Sequence, residues 1–446
     1  MTVTPGPAGA WKRCDAGHQR SEAGATLSRP ERSGLSRTCM KAKILIVGGG
    51  AMGTSVALSA AKRCDPLTEP VILIEKGSLG SGSSGRTGAV IHQGYPERAL
   101  AGMARDALKV YANMHSSVGR SVGYKKTGVL VVAGSDEAAI EGLVRDVAMQ
   151  REIAINVQLV GAQEMRRLCP GIEVSDAAMG SYEPDGGYVD PKRTIATLAA
   201  LARAKGASTR TGVENPTVIV EEGRAVGVAT SEGEFRAPNV VLATGPWTKT
   251  ILSDLGVEMP LRVVRAEEHF VGMPDPPSID EAMDDVHSDD IETRFRPDPL
   301  DLMPAAHPVI LDRSNGLHLR CEPKSKRTRV GKLGFEGLPE IKSPDDMNEA
   351  VGDEIRDWAR PLLHERMPIY RDMEDLGGQA AWITLTPDEN PIVGPVKEIP
   401  GLYVVTGFSG NDFQLAPSIG EGLAQMILGQ PVSAIDESFF SLDRFE

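Results

Sequence analysis

Gly48, Gly49, Gly50, Ala51, Met52 and Gly53 follow directly on the apolar run Ile44-Leu45-Ile46-Val47. A G-x-G-x-x-G spacing between a buried strand and a helix suits a dinucleotide. Gly48 permits the tight turn, Gly50 lets backbone N–H groups approach a pyrophosphate, and Gly53 lets the helix lie close to the sheet. Ala51 and Met52 then open a helix whose positive end faces the phosphate charge. Glycine-rich turns also occur as plain structural loops, so the surroundings decide. A second apolar run, Val71 to Ile74, ends on Glu75, at roughly the twenty-residue spacing where a carboxylate accepts bonds from the adenosine ribose hydroxyls. Lys76 follows it. The loop from Gly77 to Gly88 carries Ser83, Ser84, Arg86 and Thr87, which can donate to phosphate or ring oxygens. Its composition is that of a flexible linker, too flexible to pack without a ligand. Its position, leaving the second strand of a dinucleotide fold, puts it beside a bound cofactor.

These residues need elements of the right period to hold them. Short continuous apolar runs read as buried parallel strands. The spacing predicts helices from Ala51 to about Arg63, Ala99 to about Ser116, Asp136 to Gln150 and Ala162 to Leu168, and a strand from Lys126 to Val132. Asp185 to Asp190 forms a turn before Pro191, which suits the first turn of a helix running to about Lys205. Thr217 to Val220, Ala225 to Thr230 and Glu234 to Arg236 predict a β-meander. It feeds a strand, Val240 to Leu242, that ends near Gly245, Pro246 and Trp247. An acidic insertion around Ser278 to Asp301 and a helix near Asp345 to Leu363 follow. The strand Leu402 to Thr406 then leads through Gly407-Phe408-Ser409-Gly410-Asn411-Asp412-Phe413 into a helix reaching about Leu428. Proline is tolerated in a helix's first turn, so Pro417 is expected to mark where that helix begins.

Two distant strands ending on glycine, at Gly245 and Gly407, predict a sheet that the chain leaves and re-enters, with a cofactor across its C-terminal edge. The expected fold is α/β. A discontinuous Rossmann-like cofactor domain takes residues 41–115, 185–260 and 378–446, and an α+β substrate domain on a mixed or antiparallel sheet takes 116–184 and 261–377.

The chain's 446 residues suffice for a large core. A net charge of −13 argues against a broad nucleic-acid or anionic-membrane surface. Cys14, Cys39, Cys64, Cys169 and Cys321 are odd in number and contain no C-x-x-C pair, so neither a metal site nor a disulfide framework is expected and a reducing cytoplasm is the simplest home. No apolar run approaches the ~18 residues of a membrane span. Residues 1–40, rich in Gly, Pro, Ser, Thr and Arg, are expected to form a disordered extension without a secretory h-region. Met40, just before the first strand, is an alternative start.

A nicotinamide cofactor explains the re-entrant sheet poorly. A flavin is better served, because a terminal helix aimed at its pyrimidine ring would stabilise the negative charge that develops on reduction. The alternative is a helix that only closes the core. The chain resembles the FAD-dependent amine and amino-acid oxidoreductases that include D-amino-acid oxidase, glycine oxidase and sarcosine oxidase. The resemblance runs from Lys41 to Gly429 and rests on several motifs. These are the Gly48 to Gly53 turn with Glu75, Ser83-Ser84-Gly85-Arg86, Asp185 to Pro191, and Ala243-Thr244-Gly245-Pro246-Trp247. To them are added Gly316-Leu317-His318-Leu319-Arg320, Thr386-Pro387-Asp388-Glu389-Asn390-Pro391, and Gly407 to Phe413 with Gly420. It implies FAD held by these segments, with Gly410, Asn411, Asp412, Phe413 and Gln414 on the flavin side. It further implies hydride transfer from the α-carbon of a small amino or N-methylamino acid to flavin N5, giving an imine that water hydrolyses.

Three departures qualify that expectation. Ala381 stands where monomeric sarcosine oxidases bond a cysteine to the flavin, so non-covalent FAD is expected. Gln414 and His92 replace a lysine and an arginine of that group, which puts sarcosine itself in doubt. Asn411 and Asp412 replace the commoner small or histidine residues of the terminal glycine loop. For a carboxylate-bearing substrate a guanidinium fork is the natural anchor, and Arg320 is the candidate, a surface ion pair being the alternative. His92, with an ordinary pKa of ~6.5, either orients substrate and accepts a proton or packs beside the cofactor. His269 and His318 read as structural, and Trp247 and Trp382 as core or pocket wall. The stretch Gly88-Ala89-Val90-Ile91-His92 also resembles flavin-dependent 2-hydroxyglutarate dehydrogenases, which keeps a 2-hydroxy acid in play. A flavin-carrying subunit of a multi-subunit amine dehydrogenase is the remaining alternative. The electron acceptor is oxygen, a quinone or an electron-transfer protein.

Overall fold

The computed structural model describes residues 39–276 and 303–445. The acidic insertion and nearly all of the N-terminal extension lie outside the described residues. Cys39 and Met40 do not, and they correct the expected boundary: Cys39–Lys41 is a strand running parallel to Gly233–Arg236, at the edge of the predicted meander.

The four-residue run Ile44–Val47 is buried throughout, as a strand covered on both faces must be. Val71–Glu75 and Asn239–Leu242 flank it in parallel. Leu402–Thr406 pairs parallel with Asn239–Leu242. The strands ending near Gly245 and Gly407 therefore lie in one sheet, as their glycine ends predict, and are neighbours in it. Ser208–Thr211 and the antiparallel Ile392–Pro395 complete a six-stranded sheet. Helix Ala51–Ala61 lies between this sheet and helix Asp412–Ile427, and Ser55 Oγ donates to Ala416 O at 2.6 Å.

A second, eight-stranded sheet runs in the order Asp375–Leu385, Arg262–Gly272, Arg327–Lys332, Leu317–Glu322, Val309–Asp312, Val129–Gly134, Met179–Glu183, Gln158–Val160. It is mixed, since Val309–Asp312 pairs parallel with Val129–Gly134 and every other neighbour is antiparallel. Helices Ala162–Leu168 and Asp353–Arg366 cover an apolar cluster on it. The strand Asp375–Leu385 extends past residue 378 into the stretch expected to belong to the cofactor domain. Among the described residues no helix is long and apolar enough to cross a membrane.

Three local expectations change. The predicted strand from Lys126 is two pieces, Lys125–Lys126 and Val129–Gly134, because the chain turns through Gly128 at φ +75°. The helix expected near Asp345 starts at Asp353, since Pro344–Asp346 forms only a 3-10 turn and Gly352 is extended before the acidic first turn Asp353-Glu354. Pro417 does not sit in the first turn of its helix, which begins at Asp412. A proline there leaves the carbonyl four residues earlier without its donor, and Tyr111 Oη supplies one to Phe413 O at 2.9 Å.

Candidate functional site

The glycine turn is held by backbone contact. Gly48 has φ +108°, a region that disfavours side chains. A Cβ on Gly53 would collide with Gly48 O, so helix and turn touch backbone to backbone. Glu75 leaves the end of its strand, with Oε2 accepting from Gly49 N at 2.7 Å and Oε1 from Gly77 N at 2.8 Å. The loop after it is packed against the glycine turn. Gly80 N donates to Gly49 O at 3.0 Å, Ser83–Gly85 forms a 3-10 turn, and Ser84 Oγ accepts from Ala51 N at 3.2 Å.

From this turn a cavity of about 550 Å³ opens between the two large sheets, within the ~300–1,000 Å³ typical of small-molecule sites. Gly50, Met52, Ser83, Ser84, Arg86 and Thr87 line its first part, with His92 and Gly245. Gly410, Asn411, Asp412 and Gln414 line the side closed by the terminal helix. The structure thus brings together twelve of the residues singled out in the sequence. Others support the wall from behind. Gly48, Ala51 and Gly53 shape the turn, and the Phe413 side chain is buried in the core. Lys76 stacks on Trp247 at 3.6 Å, and both reach Asp345 Oδ1, at 3.2 and 2.9 Å. Trp382 is a true wall residue, with the Arg86 guanidinium 4.8 Å over its ring.

Two titratable groups face this first part of the cavity. Burial pushes the His92 imidazole down to about 4. Its Nδ1 accepts from Gly94 N at 3.2 Å and its ring stacks on Tyr95, which leaves Nε2–H as a donor rather than a base. Burial likewise pushes the Asp412 carboxyl up to about 6, although Ser84 Oγ donates to its Oδ2 at 3.1 Å. Tyr95 Oη donates to Asn411 Oδ1 at 3.1 Å and fixes the loop beside it.

The far wall is the eight-stranded sheet, which presents Glu268, His318, Gln379, Ala381 and Ile383. Beneath it lies a charge cluster. Burial would raise the Glu268 carboxyl, but Arg329 and His318, the latter at 3.2 Å, hold it at about 2. Glu322 is held at about 2 in the same way, against its own burial, by Arg329 at 2.6 Å, Arg320, and Arg327 at 2.5 Å. Arg320 belongs to this cluster. It is only 4% exposed, pairs with Glu322, covers the Tyr188 ring at 3.9 Å and does not line the cavity. Neither of its expected roles, anchor in the pocket or surface ion pair, describes that placement. His269 bonds Asp375 at 2.9 Å, away from the cavity.

Sequence reasoning missed Glu268, Gln379 and Ile383 on the far wall, and read His318 there as structural. Glu267 and Glu268, adjacent in the middle of an eleven-residue strand that also carries Arg262, Arg265 and His269, were the available signal. Lys332, at the cavity rim over the Trp358 ring at 5.2 Å, forms no ion pair with a described residue.

Comparisons with known proteins agree with this architecture. The 4-methylaminobutanoate oxidase (formaldehyde-forming) of Paenarthrobacter nicotinovorans is 28% identical over 411 residues, covering 90% of this chain and 46% of that protein. The monomeric sarcosine oxidase of a Bacillus species is 25% identical over 90% of this chain and 95% of its own. The crystal structure of L-proline dehydrogenase from P. horikoshii superposes with a TM-score of 0.76 at 23% identity, covering 92% of this chain and 98% of that one. The chain spans about half the length of several curated relatives that it matches. Residues 43–426, from the first strand of the six-stranded sheet to the end of the terminal helix, match the family model of FAD dependent oxidoreductases, and the chain belongs to that family.

Proposed function

We propose that this protein oxidises the α C–N bond of a small amino or N-methylamino acid, using non-covalently bound FAD. The observation that carries the reading is the continuity of the cavity from Gly50 and Met52 to Glu268, His318 and Gln379. A dinucleotide at the glycine turn and a small molecule on the sheet would share one enclosed space. FAD supplies the hydride acceptor when bound. The backbone of Gly48 to Gly53 would hold its diphosphate and Glu75 its ribose hydroxyls, and the N-terminus of helix Asp412–Ile427 would stabilise negative charge on the flavin. No described cysteine lines the cavity and Ala381 does, which supports non-covalent attachment.

The remaining residues orient the substrate. Lys332 is the cation available to a carboxylate at the rim. His92, a neutral donor lining the cavity, orients a polar atom. Trp358, Phe335 and Ile383 exclude water around an alkyl or methyl group. A 4-methylaminobutanoate oxidase, a sarcosine oxidase and an L-proline dehydrogenase among the relatives favour the same substrate class.

The test is anaerobic bleaching of the purified flavoprotein by a panel of D-amino, L-amino, N-methylamino and 2-hydroxy acids, with wild-type, Lys332→Met and Arg320→Ala protein. Bleaching by one amine class, at higher substrate concentration in Lys332→Met, supports the reading. Bleaching by 2-hydroxy acids alone would replace the substrate class. No bleaching by any of them would favour a subunit that needs a partner.

A further inference from the structure

Asp412 has no part in the chemistry just proposed, yet it lines the cofactor end of the cavity. Its Oδ2 accepts from Ser84 Oγ at 3.1 Å, and that same hydroxyl accepts from Ala51 N at 3.2 Å. Two hydrogen bonds thus link the carboxylate to the first turn of the glycine-turn helix, the end where a phosphate binds. Anionic carboxylate and anionic diphosphate would share one end of the cavity. Like charges so placed repel, and the repulsion weakens FAD binding while the carboxylate stays ionised.

We propose that FAD binding is coupled to uptake of a proton from solvent at Asp412, so that the holoprotein carries this side chain as a neutral acid. Protonation removes the repulsion and gives the side chain an O–H donor where the carboxylate only accepts. Burial has already brought the carboxyl up to about 6, and the diphosphate charge raises it further.

The surrounding groups leave Asp412 as the titrating site. On the 3-10 turn, Ser84 is neutral and the adjacent Arg86 pairs with Glu349 at 2.6 Å. In the loop and helix packed beside it, His92 is uncharged at neutral pH, and burial raises both Tyr95 and Tyr111. Asn411 and Gln414 do not titrate. Glu183 is the competing group. Burial pushes it up to about 7, and it sits behind Gln93, whose N–H donates to it at 2.8 Å.

The experiment is calorimetric titration of FAD into the full-length, FAD-stripped protein at pH 7 in buffers of different ionisation enthalpy. A carboxyl raised further by the diphosphate predicts uptake of up to one proton per FAD at pH 7, and a Kd that rises from pH 5.5 to pH 8.5. Asp412→Asn should abolish the uptake, flatten the pH dependence and tighten binding at pH 8.5. Glu183→Gln should retain the uptake. A wild-type value near zero overturns the proposal, as does uptake kept by Asp412→Asn or lost in Glu183→Gln. Should Asp412→Asn fail to fold, the wild-type and Glu183→Gln proton counts still decide. No amine substrate enters these measurements, so they stand or fall apart from the proposed reaction.

Discussion

Replacing Tyr111 by phenylalanine removes one oxygen and, with it, the donor to Phe413 O. That carbonyl is the one that Pro417 releases inside helix Asp412–Ile427. Tyr111 is 1% exposed and Phe413 is fully buried, so no water replaces the hydroxyl. An unsatisfied buried carbonyl costs about 1–3 kcal/mol, and Tyr111→Phe is expected to destabilise the protein by about 2 kcal/mol. Pro417→Ala restores a peptide N–H four residues after Phe413, in position to close the ordinary helical bond. In that background Tyr111→Phe should cost about 1 kcal/mol or less, giving a coupling of about 1 kcal/mol or more in a double-mutant cycle. Urea denaturation of the four holoproteins followed by far-UV circular dichroism reads the cycle as shifts in midpoint at constant m. Equal costs in both backgrounds, or a cost below about 0.5 kcal/mol with Pro417 present, would refute the argument that a tyrosine hydroxyl replaces the missing peptide donor.

Other consequences can be checked separately. Gly53→Val drives a side chain into Gly48 O, and the purified protein is expected to lose its flavin absorption; a variant that stays yellow would contradict the close approach. Arg329→Met removes the buried cation that Glu268 and Glu322 share and leaves them His318, Arg320 and Arg327, so it should cost about 1–3 kcal/mol in a denaturation experiment. His92 is pushed down to about 4 in the fold against ~6.5 unfolded, so the unfolded chain binds the proton first as pH falls. Its contribution is fully present above about pH 6.5 and about 3 kcal/mol is lost by pH 4. His92→Gln should flatten the stability–pH curve over that range.

Much of the cofactor half was legible because its signals are local. A buried four-residue run, a glycine spacing and an acidic strand end lie within a few dozen residues, and together they favour one physical reading. The adjacency of Asn239–Leu242 and Leu402–Thr406 was legible for a related reason, since a strand ending on glycine at a sheet's C-terminal edge implies a common ligand. Pro417 misled because its compensation comes from Tyr111, 302 residues away. Arg320 misled because its environment depends on sheet register: it lies opposite Arg329, with Glu322 two residues along its own strand. No periodicity in the chain announces that two arginines and two glutamates will share one buried cluster. Glu268 and Gln379 were missed, and His318 was read as structural, for the same reason, since the three meet only once four separate strands pair.

The measurement that tests the central claim most directly is rapid anaerobic mixing of the flavoprotein with an amino or N-methylamino acid and with its α-deuterated form, following the flavin absorption band. The account predicts one equivalent of amine consumed per flavin reduced, and slower reduction by the deuterated compound, because the α C–H bond breaks as the flavin is reduced. An enzyme-bound flavin that no amine reduces, or that is reduced at the same rate by both isotopologues under conditions where chemistry limits the rate, would contradict it.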